Sequence, residues 1–126
     1  MADAVPEVLI VDDNEDAAMS LLMLLELENI KAAAAGDARA ALAMVERGAP
    51  RLLLIDIGLP GMNGFELAQR LRDGDPDRRM TLIALTGREA SGRDEPEAAA
   101  FDHFWTKPFD PKKLLTEVKG MLGKRA

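Results

Sequence analysis

The chain contains no cysteine and no tyrosine, and it has a single histidine. The absence of cysteine excludes a disulfide framework, a thiolate metal site and thiol catalysis. His103 alone makes a poor basis for a zinc site, which needs several nitrogen or sulfur ligands. Nothing in the composition therefore indicates an oxidising compartment or thiol-based or zinc-based chemistry.

Long apolar runs and an amino-terminal signal are also missing. No stretch approaches the roughly 20 apolar residues that span a bilayer, and residues 1–6 lack the basic and then apolar pattern of a signal peptide. The net charge of −6 repels a nucleic-acid backbone. These features predict a cytoplasmic protein that contacts neither membrane nor nucleic acid directly.

Basic residues do cluster between Arg70 and Arg79, but aspartates are interleaved with them. Exposed ion pairs of this kind usually contribute little to stability. We interpret the segment as a solvated loop that carries surface ion pairs.

Short apolar runs alternate along the chain with segments of helical periodicity. Each run is bounded by Gly, Pro, Asp or Asn, which is typical of buried strands. The predicted strands cover residues 8–11, 30–35, 52–55, 82–85 and 104–106. Five alternations predict an α/β fold, with a parallel sheet covered on both faces. We expect one domain over residues 1–126, with a core at about 7–122.

Four helices have recognisable starts. The first is predicted over residues 15–28, and the others begin after the capping residues Asp37, Asn63 and Asp110. The core-facing residues of the first helix are expected to be Ala17, Leu21, Leu24 and Leu25. A fifth segment, 88–100, contains Gly92 and Pro96 and precedes the last strand. It predicts a short or irregular fourth helix from about residue 95 to 100.

Polar residues follow the predicted strands at their carboxyl ends, where open parallel sheets bind ligands. Asp12 and Asp13 follow the first strand and Asp56 the third. Thr86 follows the fourth strand and Lys107 the fifth. Taken alone, each residue has a structural explanation, and Asp13 in particular suits a helix cap. Their joint placement at one edge predicts a functional site.

Three carboxylates at one edge would repel one another. Two charges 4 Å apart interact by about 4 kcal/mol at an effective dielectric near 20. A hard divalent cation relieves this repulsion, and oxygen ligands suit Mg²⁺. An aspartate beside such an ion can attack phosphorus and form an aspartyl phosphate. Lys107 would then supply a second positive charge, and Thr86 a hydroxyl donor.

Four segments resemble the signatures of response-regulator receiver domains, the CheY-like domains of two-component phosphorelay systems. They are VLIVDDN at 8–14, LIDIGLPGMNG at 54–64, ALTG at 84–87 and WTKPF at 105–109. The resemblance covers almost the whole chain. It implies a five-stranded parallel sheet, doubly wound as a flavodoxin-like or CheY-like (βα)5 fold.

The resemblance also implies roles for individual residues. Asp56 would be the phosphoacceptor, and Mg²⁺, or Mn²⁺ in its place, would be held by Asp12, Asp13, Asp56 and the Gly58 carbonyl. The phosphoryl oxygens would be bound at Thr86, Gly87 and Lys107. The Lys107–Pro108 bond would be cis, as an X-Pro bond permits.

The family's switch couples Thr86 to an aromatic residue at the position of Phe104. Tyrosine is common there, and phenylalanine lacks the hydroxyl group. Phe104 is therefore either a rotating switch residue or a core aromatic with one orientation.

Partners are implied by the same resemblance. The donor would be a histidine kinase or a histidine phosphotransfer protein, and a downstream protein would respond to phosphorylation. Met19, Met23 and Leu27 form a second apolar stripe on the first helix. Exposed methionines suit adaptable docking, and extra core packing is the alternative. We expect a monomer or a weak dimer. The short ends favour a stand-alone receiver over one cut from a hybrid kinase.

Three other functions fit the sequence less well. A dehalogenase-like phosphatase would need Asp-x-Asp at the first strand, but Asp12 and Asp13 are adjacent. A flavin carrier would need a Ser/Thr/Gly-rich phosphate loop, and the acidic segment 12–16 is the opposite. A degenerate receiver usually lacks one of the five site residues, and all five are present. We therefore expect a phosphoacceptor rather than a turnover enzyme, with slow self-dephosphorylation.

Overall fold

The computed structural model describes residues 5–59, 61–87, 99–107 and 110–123. Within them, five parallel strands form one sheet in the order β2-β1-β3-β4-β5. The strands are β1 (Val8–Val11), β2 (Ala32–Ala35), β3 (Leu52–Asp56), β4 (Thr81–Thr86) and β5 (His103–Thr106). The helices of the described ranges are α1 (Glu15–Leu27), α2 (Ala38–Arg47), α3 (Gly64–Asp73) and α4 (Pro111–Met121). The predicted parallel α/β fold is confirmed.

Two predictions fall on residues outside these ranges. The irregular helix expected at about 95–100 lies there except for its last two residues, and Pro108 lies there as well.

The sheet separates two apolar cores. Leu9 and Val11 of β1 pack toward α2 and α3, whereas Val8 and Ile10 pack toward α1 and α4. Strand side chains alternate between the faces of a sheet, so a strand covered on both sides becomes apolar throughout. None of the helices in the described ranges combines the length and the apolar character needed to cross a membrane.

Side-chain caps fix the starts of the helices. Asp37, Asn63 and Asp110 each accept a backbone N–H of the helix that they precede, as predicted. At α1, however, Asn14 is the capping residue and accepts the Ala17 N–H at 3.1 Å. The Asp13 carboxylate is exposed, and Asn14 takes the capping position instead. The interpretation of Asp13 as a helix cap is therefore wrong.

The buried face of α1 differs by one position from the prediction. Ala18, Leu21 and Leu25 are buried, whereas Ala17 and Leu24 are only half-buried. The helix therefore meets the sheet through a narrower stripe than its apolar residues suggested.

The second strand begins two residues later than predicted. Ile30 is buried, but its N–H donates to the carbonyl of Leu25 and so closes the end of α1. Asn29 has a φ of 62°, the left-handed conformation that commonly ends a helix. The apolar run at 30–35 therefore contains both a helix stop and a strand.

The interpretation of the Arg70–Arg79 segment as a solvated loop is wrong at its centre. Arg72 and Asp75 are both 8% exposed and form an ion pair at 3.2 Å. Arg79 and Asp77 do form an exposed surface pair, at 3.9 Å. Sequence alternation of charges did not distinguish the buried pair from the exposed one.

Gly64 allows the start of α3 to approach the loop that follows β3. A Cβ added there would lie 2.7 Å from the Ile57 Cα and 2.9 Å from the Asp56 carbonyl oxygen. The Gly64 N–H donates to the Ile57 carbonyl at 3.0 Å. Because the crowding atoms belong to the backbone, they cannot move aside without shifting the loop that carries Asp56.

We expect Gly64→Ala to destabilise the fold by about 1–3 kcal/mol, the usual cost of overpacking. Urea denaturation would measure the change. Gly120→Ala is the matched control, because Gly120 is also helical but a Cβ there meets nothing within 4 Å. That control should be neutral or stabilising by up to about 1 kcal/mol. Equal effects of the two substitutions would contradict the close approach.

Candidate functional site

The register of two adjacent strands brings three carboxylates together. Val11 of β1 lies beside Ile55 of β3, so the residues that follow them, Asp12 and Asp56, are neighbours as well. Together with Asp13, each offers an oxygen atom within 4.8 Å of the others. The predicted cluster of acidic residues is therefore formed at the carboxyl edge of the sheet.

Asp12 is the buried member of this cluster, with 3% of its surface exposed. Burial raises the pKa of its carboxyl group, and the charges of Asp56 and Asp13 raise it further. The backbone N–H of Asn14, which donates to Oδ1 at 2.9 Å, and the Lys107 ammonium both oppose this rise in pKa. The carboxylates thus lie in an environment that favours an added positive charge.

Asp56 is half-buried at the end of β3. Its Oδ1 accepts the Gly58 N–H at 2.9 Å, and its Oδ2 accepts from the Lys107 ammonium at 3.3 Å. The two oxygens of this carboxylate therefore have different partners. The contact with Gly58 is made through the amide, and the proposed metal-binding role of the Gly58 carbonyl stays a prediction.

Lys107 reaches the acidic cluster from the end of β5. Its backbone N–H donates to the Thr86 carbonyl at 2.8 Å and continues the pairing of β5 with β4. Its Nζ lies 3.3 Å from Oδ2 of Asp56 and 3.7 Å from Oδ2 of Asp12. One ammonium thus faces two of the three carboxylates, as the sequence predicted, and leaves a net negative charge.

Thr86 and Gly87 complete this edge of the sheet. Thr86 is buried, and its hydroxyl donates to the Gly87 carbonyl at 3.1 Å. Gly87 is exposed, and a Cβ there would meet nothing within 4 Å. The hydroxyl occupies the rim of the site, and open space lies beside it.

Phe104 lies on β5 and is half-buried. Its ring meets the buried Phe101 edge-on, with 5.5 Å between centroids. Phe101 in turn meets Phe65 of α3 at 5.9 Å. Phe104 thus belongs to a row of aromatic rings, and its role as a switch stays a prediction.

The second apolar stripe of α1 faces solvent. Met19, Met23 and Leu27 are 50%, 59% and 77% exposed. The alternative that they add to the core is wrong, because Ala18, Leu21 and Leu25 occupy that side of the helix.

Two residues that position the site were not singled out in the sequence. Asn14 caps α1 and also donates its N–H to Asp12. Gly64 permits the approach of α3 to the Asp56 loop. An Asn immediately before a helical pattern, and a Gly immediately after a capping Asn, are the signals that could have identified them.

The donor set fits a hard divalent cation. Three carboxylates offer oxygen atoms within bridging distance, and two of them are accessible. Lys107 compensates only part of their charge. Sites of this composition suit Mg²⁺, which binds one or two carboxylates and keeps several waters.

Comparison with known proteins assigns the chain to a family. Residues 8–119 match the sequence model described as the response regulator receiver domain. The chain is 38% identical to an uncharacterised 14.6 kDa protein of Leptolyngbya boryana, over 90% of this chain and 87% of that protein. It is 37% identical to the phosphate regulon transcriptional regulatory protein PhoB of Rhizobium meliloti, over 93% of this chain and 52% of PhoB.

A solved structure shows the same fold. Response regulator protein TrrA of Thermotoga maritima, in complex with Mg²⁺–BeF, superposes with a TM-score of 0.80 at 28% identity. The match covers 90% of this chain and 96% of TrrA. The chain spans only about half the length of PhoB, and also about half the length of the heme response regulator HssR of Staphylococcus epidermidis, to which it is 35% identical. Receiver domains hold Mg²⁺ at an acidic cluster of the kind formed by Asp12, Asp13 and Asp56.

We expect Asp13→Asn to weaken Mg²⁺ binding about tenfold or more, equivalent to about 1.4 kcal/mol, because one oxygen-donating charge is lost. The same change should stabilise the metal-free protein by removing repulsion. Calorimetric titration and thermal unfolding would measure the two effects. Asp16→Asn, in the first turn of α1, is the control. It should change neither the affinity for Mg²⁺ nor the increase in unfolding temperature that added Mg²⁺ produces. Unaltered Mg²⁺ affinity of Asp13→Asn would exclude Asp13 as a ligand.

Proposed function

Because this chain belongs to the response regulator receiver domain family, we propose that it accepts a phosphoryl group on Asp56 from a phosphohistidine donor. Phosphorylation then changes its affinity for a partner protein. The observation that carries this proposal is the convergence of Asp12, Asp13, Asp56 and Lys107 at one edge of the sheet.

Asp56 is the nucleophile in this proposal. A carboxylate oxygen forms a bond to phosphorus, the bond between phosphorus and the donor imidazole nitrogen breaks, and that nitrogen keeps the electron pair. The Gly58 N–H and the Lys107 ammonium hold the two oxygens of Asp56 and so orient the carboxylate. Asp12, Asp13 and Asp56 would hold Mg²⁺, which would supply charge that offsets the negative charge of the transferred group.

The other site residues receive the phosphoryl oxygens. The Lys107 ammonium, already between two carboxylates, can pair with one oxygen. The Thr86 hydroxyl turns from the Gly87 carbonyl toward another, and Gly87 leaves room for it. Phe104 responds to the movement of Thr86 by repacking against Phe101, without the hydroxyl contact that a tyrosine would make.

The relative TrrA supports this chemistry. It was solved with Mg²⁺ and beryllium fluoride, and beryllium fluoride mimics a phosphoryl group on a carboxylate. This support concerns the class of reaction.

Donor docking is proposed on α1. A groove of about 420 Å³ extends from Asp12 and Lys107 along Ser20 and Leu24 of α1 to Pro111. The exposed stripe of Met19, Met23 and Leu27 is carried by the same helix. A donor that lies on α1 would therefore reach the acidic cluster without a rearrangement of the sheet.

The chain is proposed to act as one unit, since one core runs from β1 to α4 and the other from β1 to Phe104 of β5. It serves as a phosphoacceptor and does not turn over a phosphomonoester substrate. Water attack on phosphorus would return Asp56 to its free form, and we expect this step to be slow.

The phosphoacceptor assignment is tested with acetyl phosphate. We expect a single phosphoryl adduct by intact-mass spectrometry when Mg²⁺ is present, and no adduct after chelation. Asp56→Asn should abolish the adduct, because the amide is a poor nucleophile. Asp77→Asn, on an exposed aspartate remote from the cluster, should label like the wild type. A persistent adduct in Asp56→Asn would place phosphorylation elsewhere.

If the donor docks on α1, a substitution there should slow labelling by a protein donor but not by a small-molecule donor. Met23→Glu should slow labelling by a phosphohistidine protein about tenfold or more, because a charge would be buried at the contact. Labelling by acetyl phosphate should be unchanged, because that donor needs no docking surface. Arg47→Glu on α2 is the control and should affect neither donor. Equal slowing with both donors would show damage to the site rather than to docking.

A further inference from the structure

β5 contains Phe104 and is followed directly by Lys107. Its position depends on one neighbouring strand. Among the described strands, β5 lies at the edge of the sheet and pairs only with β4. Phe104 packs with the α2–α3 core, and Trp105 packs with the α1–α4 core. A slip of one residue would exchange these two faces. It would also move Lys107 along the strand by roughly 3.3 Å, away from Asp56.

Asp102 fixes this register at the start of β5. Its backbone N–H donates to the Leu82 carbonyl at 2.8 Å. Its side-chain Oδ2 accepts the Leu82 N–H, also at 2.8 Å. One residue therefore holds both polar backbone groups of Leu82. A residue without a side-chain oxygen beside Leu82 could not accept the Leu82 N–H. The two hydrogen bonds of Asp102 therefore favour one register of β5 against β4.

Arg72 holds the Asp102 carboxylate in place. Its Nη2 donates to the same Oδ2 that accepts from Leu82. Its Nε donates to the Ala100 carbonyl at 2.8 Å, and its Nη1 donates to the Met80 carbonyl at 2.7 Å. A planar guanidinium satisfies such a set of acceptors in one orientation only. Arg72 thus ties the end of α3 to the residues that precede β4 and β5.

Neighbouring groups keep Arg72 in that orientation. Asp75 pairs with its Nη1 and accepts the N–H groups of Arg79 and Met80. Arg78 approaches the other oxygen of Asp102 at 3.3 Å. Within the described part of the chain, buried side-chain polar atoms all have partners. The network therefore has few alternative arrangements.

We propose that Asp102, held by Arg72, is a positioning residue for phosphoryl transfer, which acts by fixing the register of β5 and so the place of the Lys107 ammonium. The proposal rests on the proposed function of the site. Asp102 touches no reacting atom. Asp12 and Asp13 follow β1 and Asp56 ends β3, so the backbone of the metal ligands is positioned without β5, and displacement of the competing Lys107 ammonium should not weaken Mg²⁺ binding.

The test combines Asp102→Ala with Lys107→Ala in the full chain. We expect Asp102→Ala to slow Mg²⁺-dependent labelling by acetyl phosphate about tenfold or more, without weakening Mg²⁺ binding. In the Lys107→Ala background, Asp102→Ala should slow labelling no further, because the two residues act through one group. Asp102→Asn keeps an oxygen for the Leu82 N–H and should lose much less.

Hydrogen exchange of the Lys107 backbone amide gives a readout that is independent of phosphorylation. This amide donates to the Thr86 carbonyl, so Asp102→Ala should speed its exchange more than that of the β1 and β3 amides. Asp77→Asn is the control for both readouts and should match the wild type. If Asp102→Ala folds poorly, Arg72→Lys provides the second comparison, because it keeps the positive charge but loses the planar group that holds Asp102, and it should change both readouts in the same direction.

The outcomes separate this proposal from the function on which it rests. An unlabelled wild type, or a Lys107→Ala protein that labels normally, would overturn the proposed function. Equal slowing by Asp102→Ala with and without Lys107 would overturn the positioning role. Equal losses of labelling and of Mg²⁺ affinity would also overturn it, because they would show a general loss of folded protein.

Discussion

The site depends on repulsion between carboxylates that the sheet does not allow to separate. Pairing of β1 with β3 sets Asp12 beside Asp56, and the buried position of Asp12 raises its pKa. Lys107 offsets this repulsion only in part. The cluster is therefore prepared for a cation and for a phosphoryl group whose oxygens the cation and Lys107 can share. In the proposed function, this excess negative charge is what makes Asp56 responsive to Mg²⁺ and to a phosphoryl donor.

The scaffold divides this task between stable and adjustable elements. The central strands β1 and β3 are covered on both faces, and they carry the carboxylates. The edge strand β5 carries Phe104 and Lys107, and its side chains are largely half-buried or exposed. A switch is better placed on such an edge, where fewer contacts must change. The network around Arg72 holds the start of β5 through Asp102, and in the proposed function the far end of the strand responds to phosphorylation.

Sequence patterns predicted the sheet, the capping residues Asp37, Asn63 and Asp110, and the gathering of the carboxylates, because each follows from local periodicity or from strand ends. They failed where tertiary contacts decide. The run at 30–35 follows directly on the helix stop at Asn29, so its first residues do not belong to the strand. Alternating charges hid the buried pair of Arg72 and Asp75. The partners of Arg72 lie up to 30 positions away, beyond the reach of any local pattern.

Chemical mapping of the phosphorylated residue tests the central claim most directly. Borohydride reduces an aspartyl phosphate to homoserine, and peptide sequencing by tandem mass spectrometry locates the converted position. After labelling with acetyl phosphate and Mg²⁺, the account predicts conversion at Asp56, with Asp12 and Asp13 unchanged. Conversion at Asp12 or Asp13, or a phosphoryl group on a side chain outside the cluster, would contradict it.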